Sequence, residues 1–291
     1  MTPADLTAAA LPAEALDSHC HLDIMNVPVE QVLADAHAVG IRRLVTIGCD
    51  LPSSRWAAEC AAAHPDVYAA VAIHPNETEA AVSAGPDRGG PAAAAPSAQA
   101  VPAEAVLAEA VLAEIEALAA LPKVRAIGET GLDYYRDRAA PPVQQEWFRA
   151  HIEIAKRTGK ALVIHDREAH EDVLRILDEQ GPPEKVVFHC FSGDERMVKQ
   201  CAEAGYVMSF AGNLTFANAQ PLRAAAAAAP AGLLLVETDA PFLTPVPHRG
   251  KPNAPWLAAH TLRKLAELKA MDIAELCGQI TRTAERVFGP W

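Results

Sequence analysis

Ala161-Leu162-Val163-Ile164-His165-Asp166 and Lys185-Val186-Val187-Phe188-His189-Cys190 decide how this chain is read. Each is a short apolar run, rich in β-branched residues, that stops abruptly at a histidine. A strand with one wet face alternates apolar and polar side chains. An unbroken run suits a strand covered on both faces, as in a parallel sheet. Working outward, the pattern recurs at Ala15–His21, Arg43–Cys49, Val67–His74, Val124–Glu129, Tyr206–Phe210 and Leu233–Glu237. With Ala161–His165 and Lys185–His189 that predicts eight strands.

Helical stretches with stop signals lie between them. Val29–Val39 ends before Gly40, Ser53–Ala63 follows Pro52, and Val143–Thr158 follows two prolines and ends at Gly159. Glu168–Glu179 ends near Gly181, Asp194 opens a helix to Ala204 closed by Gly205, and Ala219–Ala229 stops at Pro230. Trp256–Lys269 and Ile273–Phe288 follow. Alternating strands and helices argue a parallel α/β fold. Polar residues fall at the C-terminal ends of the strands all along the chain. That selects a closed (β/α)8 TIM barrel over an open doubly wound sheet, because a barrel builds its active site there. Residues 1–291 are read as one such domain. The stretch 83–102, SAGPDRGGPAAAAPSAQAVP, is read as a low-complexity surface insertion before a helix at Ala103–Leu121.

Composition narrows the function. The 291 residues are 51% hydrophobic and 21% charged, which excludes a mostly disordered chain. A net charge of -12 repels nucleic-acid phosphates at long range and excludes a broad electrostatic duplex binder. It leaves open a nuclease that grips a short stretch through bound metal, since a metal inverts the local sign. No apolar run is long enough to span a membrane, and the first residues lack the basic start of a secretory leader. Six cysteines without a CxxC pair suit reduced thiols, so a cytoplasmic location is expected.

The chemistry sits at the strand ends. His19 and His21 alternate with Cys20, so both imidazoles face one side, as in a metal clamp. Glu129 lies between Gly128 and Gly131, glycines that permit close backbone approach. His165 and His189 end neighbouring strands; one such histidine is more often a core residue, but two shift the balance toward ligation. Cys190 points away from His189 and is read as a packed hydrophobe. Asp239 is the acidic candidate at the last strand end, with Glu237 a second. Four imidazoles and two carboxylates suit zinc, manganese, iron, nickel or cobalt more than a lone magnesium, although magnesium stays among the open identities. Six donors exceed one catalytic ion's needs, so two divalent ions bridged by a carboxylate, about 3.5–4 Å apart, are expected.

The motifs DSHCHLD (17–23), AIHPNE (72–77), IGETGLDYY (127–135), VIHDREAH (163–170), FHCFSGD (188–194), GNLTF (212–216), ETDAPFLTP (237–245) and PHRGKPN (247–253) run over nearly the whole chain. Together they resemble the TatD family of metal-dependent deoxyribonucleases, a branch of the amidohydrolase-type TIM barrels. The resemblance implies that His19, His21, Glu129 and Asp239 hold one ion and Glu129, His165 and His189 the second. Glu129 is then the bridge. Asp166 and Ala254 stand where many relatives carry serine and glutamate, which bears on substrate contacts rather than metal.

The expected reaction is phosphodiester hydrolysis by a hydroxide generated between the ions, with Asp239 orienting the water and taking its proton. The family's exonuclease activity makes DNA 3′ ends or single-stranded tails the expected substrate, for a monomer with no membrane partner. Candidate substrate contacts are His74 for a phosphate or leaving group, Arg249 and Lys251 for phosphates, and Tyr134 or Tyr135 for a terminal base, one of the two packing against helices instead. Two rival readings remain. One is an ester or amide hydrolase on the same metals, such as a D-aminoacyl-tRNA deacylase. The other is a scaffold keeping metals as structural glue, against which the complete donor set argues.

Overall fold

Strands form at all eight apolar runs: β1 (Ala15–Cys20), β2 (Ile41–Ile47), β3 (Val67–Val71), β4 (Val124–Asp133), β5 (Ala161–Arg167), β6 (Val186–Phe188), β7 (Val207–Phe210) and β8 (Leu234–Val236). The computed structural model describes residues 7–83, 103–136 and 138–290. All but Ser83 of the 83–102 insertion therefore lies outside the described residues. The strands lie side by side in chain order and pair in parallel. The last strand returns to the first through a parallel bridge between Cys20 and Ala240. There the Asp239 amide donates to His19 O (2.9 Å) and the His21 amide to Ala240 O (2.8 Å). The result is the (β/α)8 barrel, closed along a narrow seam between β8 and β1.

The helices are α1 (Val29–Ala38), α2 (Leu51–Ala63), α3 (Thr78–Ser83), α4 (Ala103–Ala119), α5 (Pro141–Thr158), α6 (His170–Gln180), α7 (Glu195–Ala204), α8 (Gln220–Ala228), α9 (Ala258–Lys269) and α10 (Ile273–Phe288). Three of them, α2, α7 and α10, start on a side-chain cap. Asp50 accepts from the Ser53 amide at 2.8 Å and Asp194 from the Met197 amide at 2.9 Å, each satisfying a donor that the first turn leaves free. Leu16, Ile127, Ile164, Phe188, Phe210 and Val236 are buried, as the unbroken apolar runs require. No helix among the described residues is long and apolar enough to cross a membrane.

Two of the boundaries that differ from the sequence reading bear on the site. β4 continues past Glu129 to Asp133, because β5 also continues and pairs Thr130–Asp133 with Ile164–Arg167. Only glycine allows this approach: a Cβ at Gly128 would lie 2.5 Å from the Val163 side chain, and one at Gly131 2.1 Å from the His165 carbonyl oxygen. β3, by contrast, ends at Val71. His74 sits beyond it at the start of a short 3-10 turn (Pro75–Glu77), its amide held by Cys49 O at 2.7 Å.

Candidate metal centre

The barrel brings all six predicted donors together around Glu129, which is almost fully buried. Its two oxygens face different neighbours. Oε2 lies 3.2 Å from His19 Nε2 and 3.9 Å from His21 Nε2, both from β1 and its end. Oε1 lies 2.7 Å from His165 Nδ1 and 3.1 Å from His189 Nε2, from the ends of β5 and β6. Asp239 Oδ1 closes the first group, 3.4 Å from His21 Nε2 and 3.9 Å from His19 Nε2. Asp239 reaches inward from beyond β8 on a left-handed backbone (φ 55°), a conformation uncommon outside glycine.

The donor set fits divalent ions. Donor atoms of His19, His21 and Glu129 lie within 4.8 Å of one another, as do those of His19, His189 and Asp239. His19 is wholly buried, yet neither ring nitrogen makes a hydrogen bond. Such an imidazole is costly unless something else takes its lone pair, which a cation does.

Electrostatics agree. Burial alone would raise the Glu129 carboxyl, but His189, His74 and His165 outweigh it and hold it well below the usual range. Burial disfavours charge on His189 too, yet Glu129 and Glu237 push it well above the ordinary histidine value. Against the same burial, Cys49 and Asp239 raise His21, and Asp133 and Glu129 raise His165. His19 goes the other way, lowered by burial and by His189, so its ring is neutral. The pocket is a buried, carboxylate-rich space that stabilises positive charge.

A supporting ring of side chains holds these donors. Glu237, read from sequence as a second acidic candidate, faces away from the cluster: its Oε1 accepts from His189 Nδ1 (3.0 Å) and from the Cys190 amide (2.8 Å). That leaves His189 Nε2 bare toward Glu129. Asp133 lies 3.2 Å from His165 Nε2 and accepts from Asn76 Nδ2 at 2.9 Å. The sequence reading missed Asp133; its spacing from Glu129 through Gly131, two and two, is the signal that finds it once β4 is known to continue. Also missed was Asp17, fully buried at the seam. It accepts from the His19 amide (3.2 Å), the Thr238 amide (2.9 Å) and Thr238 Oγ1 (2.5 Å). Burial pushes its carboxyl up to about 8.

The predicted substrate contacts divide. His74 lies against the cluster, its Nε2 3.4 Å from Glu129 Oε1. Its Nδ1 accepts from the Asn76 amide at 3.0 Å, so in the neutral ring the proton sits on Nε2. Tyr134 belongs to the helix layer, its hydroxyl tied to Asp172 (2.8 Å) and Gln145 (2.7 Å). Tyr135 is the exposed one, at 64%, with the Arg167 guanidinium 3.9 Å from its ring centre. Arg249 lies 3.8 Å from the ring centre of Phe216. Lys251 shares that loop, its carbonyl accepting from Thr244 Oγ1. Phe242, half exposed, stands edge-on to His21 at 6.0 Å. Asp166 pairs with His170 Nδ1 at 2.7 Å, away from the cluster.

Comparison with known proteins gives the same picture over nearly the full length. The family model described as TatD related DNase matches residues 16–289. A Mycobacterium tuberculosis protein named uncharacterized metal-dependent hydrolase TatD is 40% identical, covering 94% of this chain and 97% of its own. The Bacillus subtilis metal-dependent hydrolase YabD is 35% identical, over 94% of this chain and 98% of its own. Among solved structures, the TatD homologue YjjV of Escherichia coli superposes with a TM-score of 0.81 at 24% identity, covering 95% of this chain and 98% of its own. On its sequence and its barrel, this chain belongs to the TatD family of metal-dependent hydrolases.

Proposed function

We propose that the protein is a deoxyribonuclease that removes nucleotides from DNA 3′ ends, using two divalent ions shared across Glu129. The observation that carries this is the division of the Glu129 carboxylate, one oxygen toward His19 and His21 and the other toward His165 and His189. His19, His21, Glu129 and Asp239 would hold one ion, and Glu129, His165 and His189 the second. Such a pair supplies Lewis-acid polarisation of a phosphoryl oxygen and an acidified water.

The side chains do the rest. Burial raises the Asp239 carboxyl, but His21 and His189 outweigh it and keep it ionised, so it can accept the attacking water's proton. Glu237 and Asp133 fix the His189 and His165 rings, which keeps the donors in place without reorganisation. His74, with its proton on Nε2, serves as a hydrogen-bond donor to a phosphoryl or leaving-group oxygen. With a net charge of -12, a short single-stranded end suits the mouth better than a wrapped duplex.

The test is degradation of a 3′-labelled single-stranded DNA with magnesium, manganese, zinc or chelator, beside Glu129→Ala and His165→Ala. Stepwise loss from the 3′ end that needs metal, and that falls at least about a thousandfold in both variants, is expected. Folded protein that binds two ions and cuts no DNA would refute this reading and direct the search to acyl esters and amides.

A further inference from the structure

Seven of the described arginines are paired with carboxylates. Arg55 meets Glu114, Arg157 meets Glu116, Arg149 meets Glu179, and Arg175 meets Asp172. Arg167 and Arg249 are among the arginines that are not. Each guanidinium lies over an aromatic ring, Tyr135 and Phe216 respectively, and among the described residues neither is ion-paired. A guanidinium resting on a ring face keeps its N–H fork free at the edge, where it matches two oxygens of one phosphate.

Their placement is informative. Arg167 is two residues beyond His165 on β5, and so faces the same barrel mouth. It pairs in register with Asp133, which touches His165. The Tyr135 amide donates to Asp133 Oδ1 at 3.0 Å, so the ring under Arg167 is anchored to the wall of the metal centre. Arg249 rises from the loop after β8. In a ring of eight strands in chain order, β4 and β5 stand across from β8 and β1. The two stacks therefore flank the Glu129 cluster from opposite rims. Tyr135 offers solvent a large ring on a turn, and exposed aromatics beside a cationic fork are how strands are held without reading sequence.

Resting on the phosphodiesterase reading above, we propose that Arg167 on Tyr135, opposed by Arg249 on Phe216, is a two-sided clamp for a single nucleic-acid strand. Each guanidinium takes a backbone phosphate neighbouring the one held at Glu129, and Tyr135 carries a base. The clamp demands a substrate with more than one phosphate. It recognises phosphate and base face, which DNA and RNA share, so it does not discriminate between them.

The test reads binding without turnover. Fluorescein-labelled (dT)5 and (U)5 are titrated by anisotropy against chelator-treated protein over a salt series. Arg167→Ala and Tyr135→Ala are each expected to weaken both oligomers about tenfold. Arg167→Ala should also flatten the dependence of log affinity on log salt by about 0.7. Arg167→Lys restores the slope but only part of the affinity, because the fork is lost. Lys199→Ala, which removes an exposed charge paired with Glu203, changes neither. In the metal-loaded protein, Arg167→Ala raises KM for (dT)5 by a larger factor than it slows hydrolysis of bis(p-nitrophenyl) phosphate, which has no flanking phosphates.

Arg167→Ala binding like Lys199→Ala, or a wild type that binds neither oligomer, would overturn the clamp. A preference of tenfold or more between (dT)5 and (U)5 would overturn the shared recognition it assumes. A wild type that binds through Arg167 but cuts no DNA would keep the clamp and sink the nuclease reading, so the two failures are told apart.

Discussion

Asp17 shows how much of the centre rests on a residue that touches no candidate ligand's side chain. It gathers two amides and a hydroxyl from His19 and Thr238 at the point where β1 meets the chain after β8. Asp17→Ala strands those donors in a dry place and is expected to cost about 2–3 kcal/mol of stability. Asp17→Asn, which keeps an acceptor, should cost markedly less; urea unfolding of the two variants compares them. The donors themselves were legible in the sequence because each ends an apolar run, and strand alternation told His19 from Cys20. The supporting residues were not. Glu237 looked like a donor because spacing gives its strand position but not which way a carboxylate turns. The inward reach of Asp239 depends on a left-handed backbone that no residue type announces. The strand before His74 was read three residues too long because Ala72 and Ile73 continue its apolar run.

Among the elements, β4 carries the most consequence. Its extension to Asp133 brings Glu129, Gly131 and Asp133 onto the wall beside β5. Gly131 is the pivot: it has φ 139° and would press a Cβ into the His165 carbonyl. Gly131→Ala is expected to destabilise the fold by about 3 kcal/mol or more and to displace His165. Calorimetry would then show a lower Tm together with lost metal, measured as ions retained after gel filtration. A variant with normal Tm and full metal content contradicts this role. Helix positions were legible because proline, glycine and aspartate mark their ends, as at Asp194 and Gly205 around α7. The end of β4 was not, because Glu-Thr-Gly-Leu-Asp reads as a polar turn until a neighbouring strand supplies partners for its backbone.

For the whole molecule, the excess of buried acid makes stability depend on what balances it. His21, His165 and His189 titrate above their ordinary value in the ion-free protein, and Asp17 near 8. Groups whose folded pKa is raised stabilise the fold fully below the unfolded value and lose that contribution as pH rises through the folded one. Histidines unfold with a pKa near 6.5, so chelated protein should melt at progressively lower temperature from pH 6.5 to pH 9. Divalent ions replace those protons, so metal affinity rises with pH, about tenfold per unit for each proton displaced. Zinc or manganese should therefore raise Tm most at the alkaline end. Scanning calorimetry with and without chelator checks this, and a Tm difference that shrinks with rising pH contradicts it.

The seam between β8 and β1 has a consequence for how the protein is made. A ribosome delivers His19 and His21 early and Asp239 only after more than two hundred further residues. The strand that carries the first pair has no partner on one edge until the eighth emerges. A truncated nascent chain thus owns most of the histidines and the central glutamate but neither Asp239 nor the closing bridge. Only a chain synthesised through Ala240 assembles the six-donor set and closes the seam.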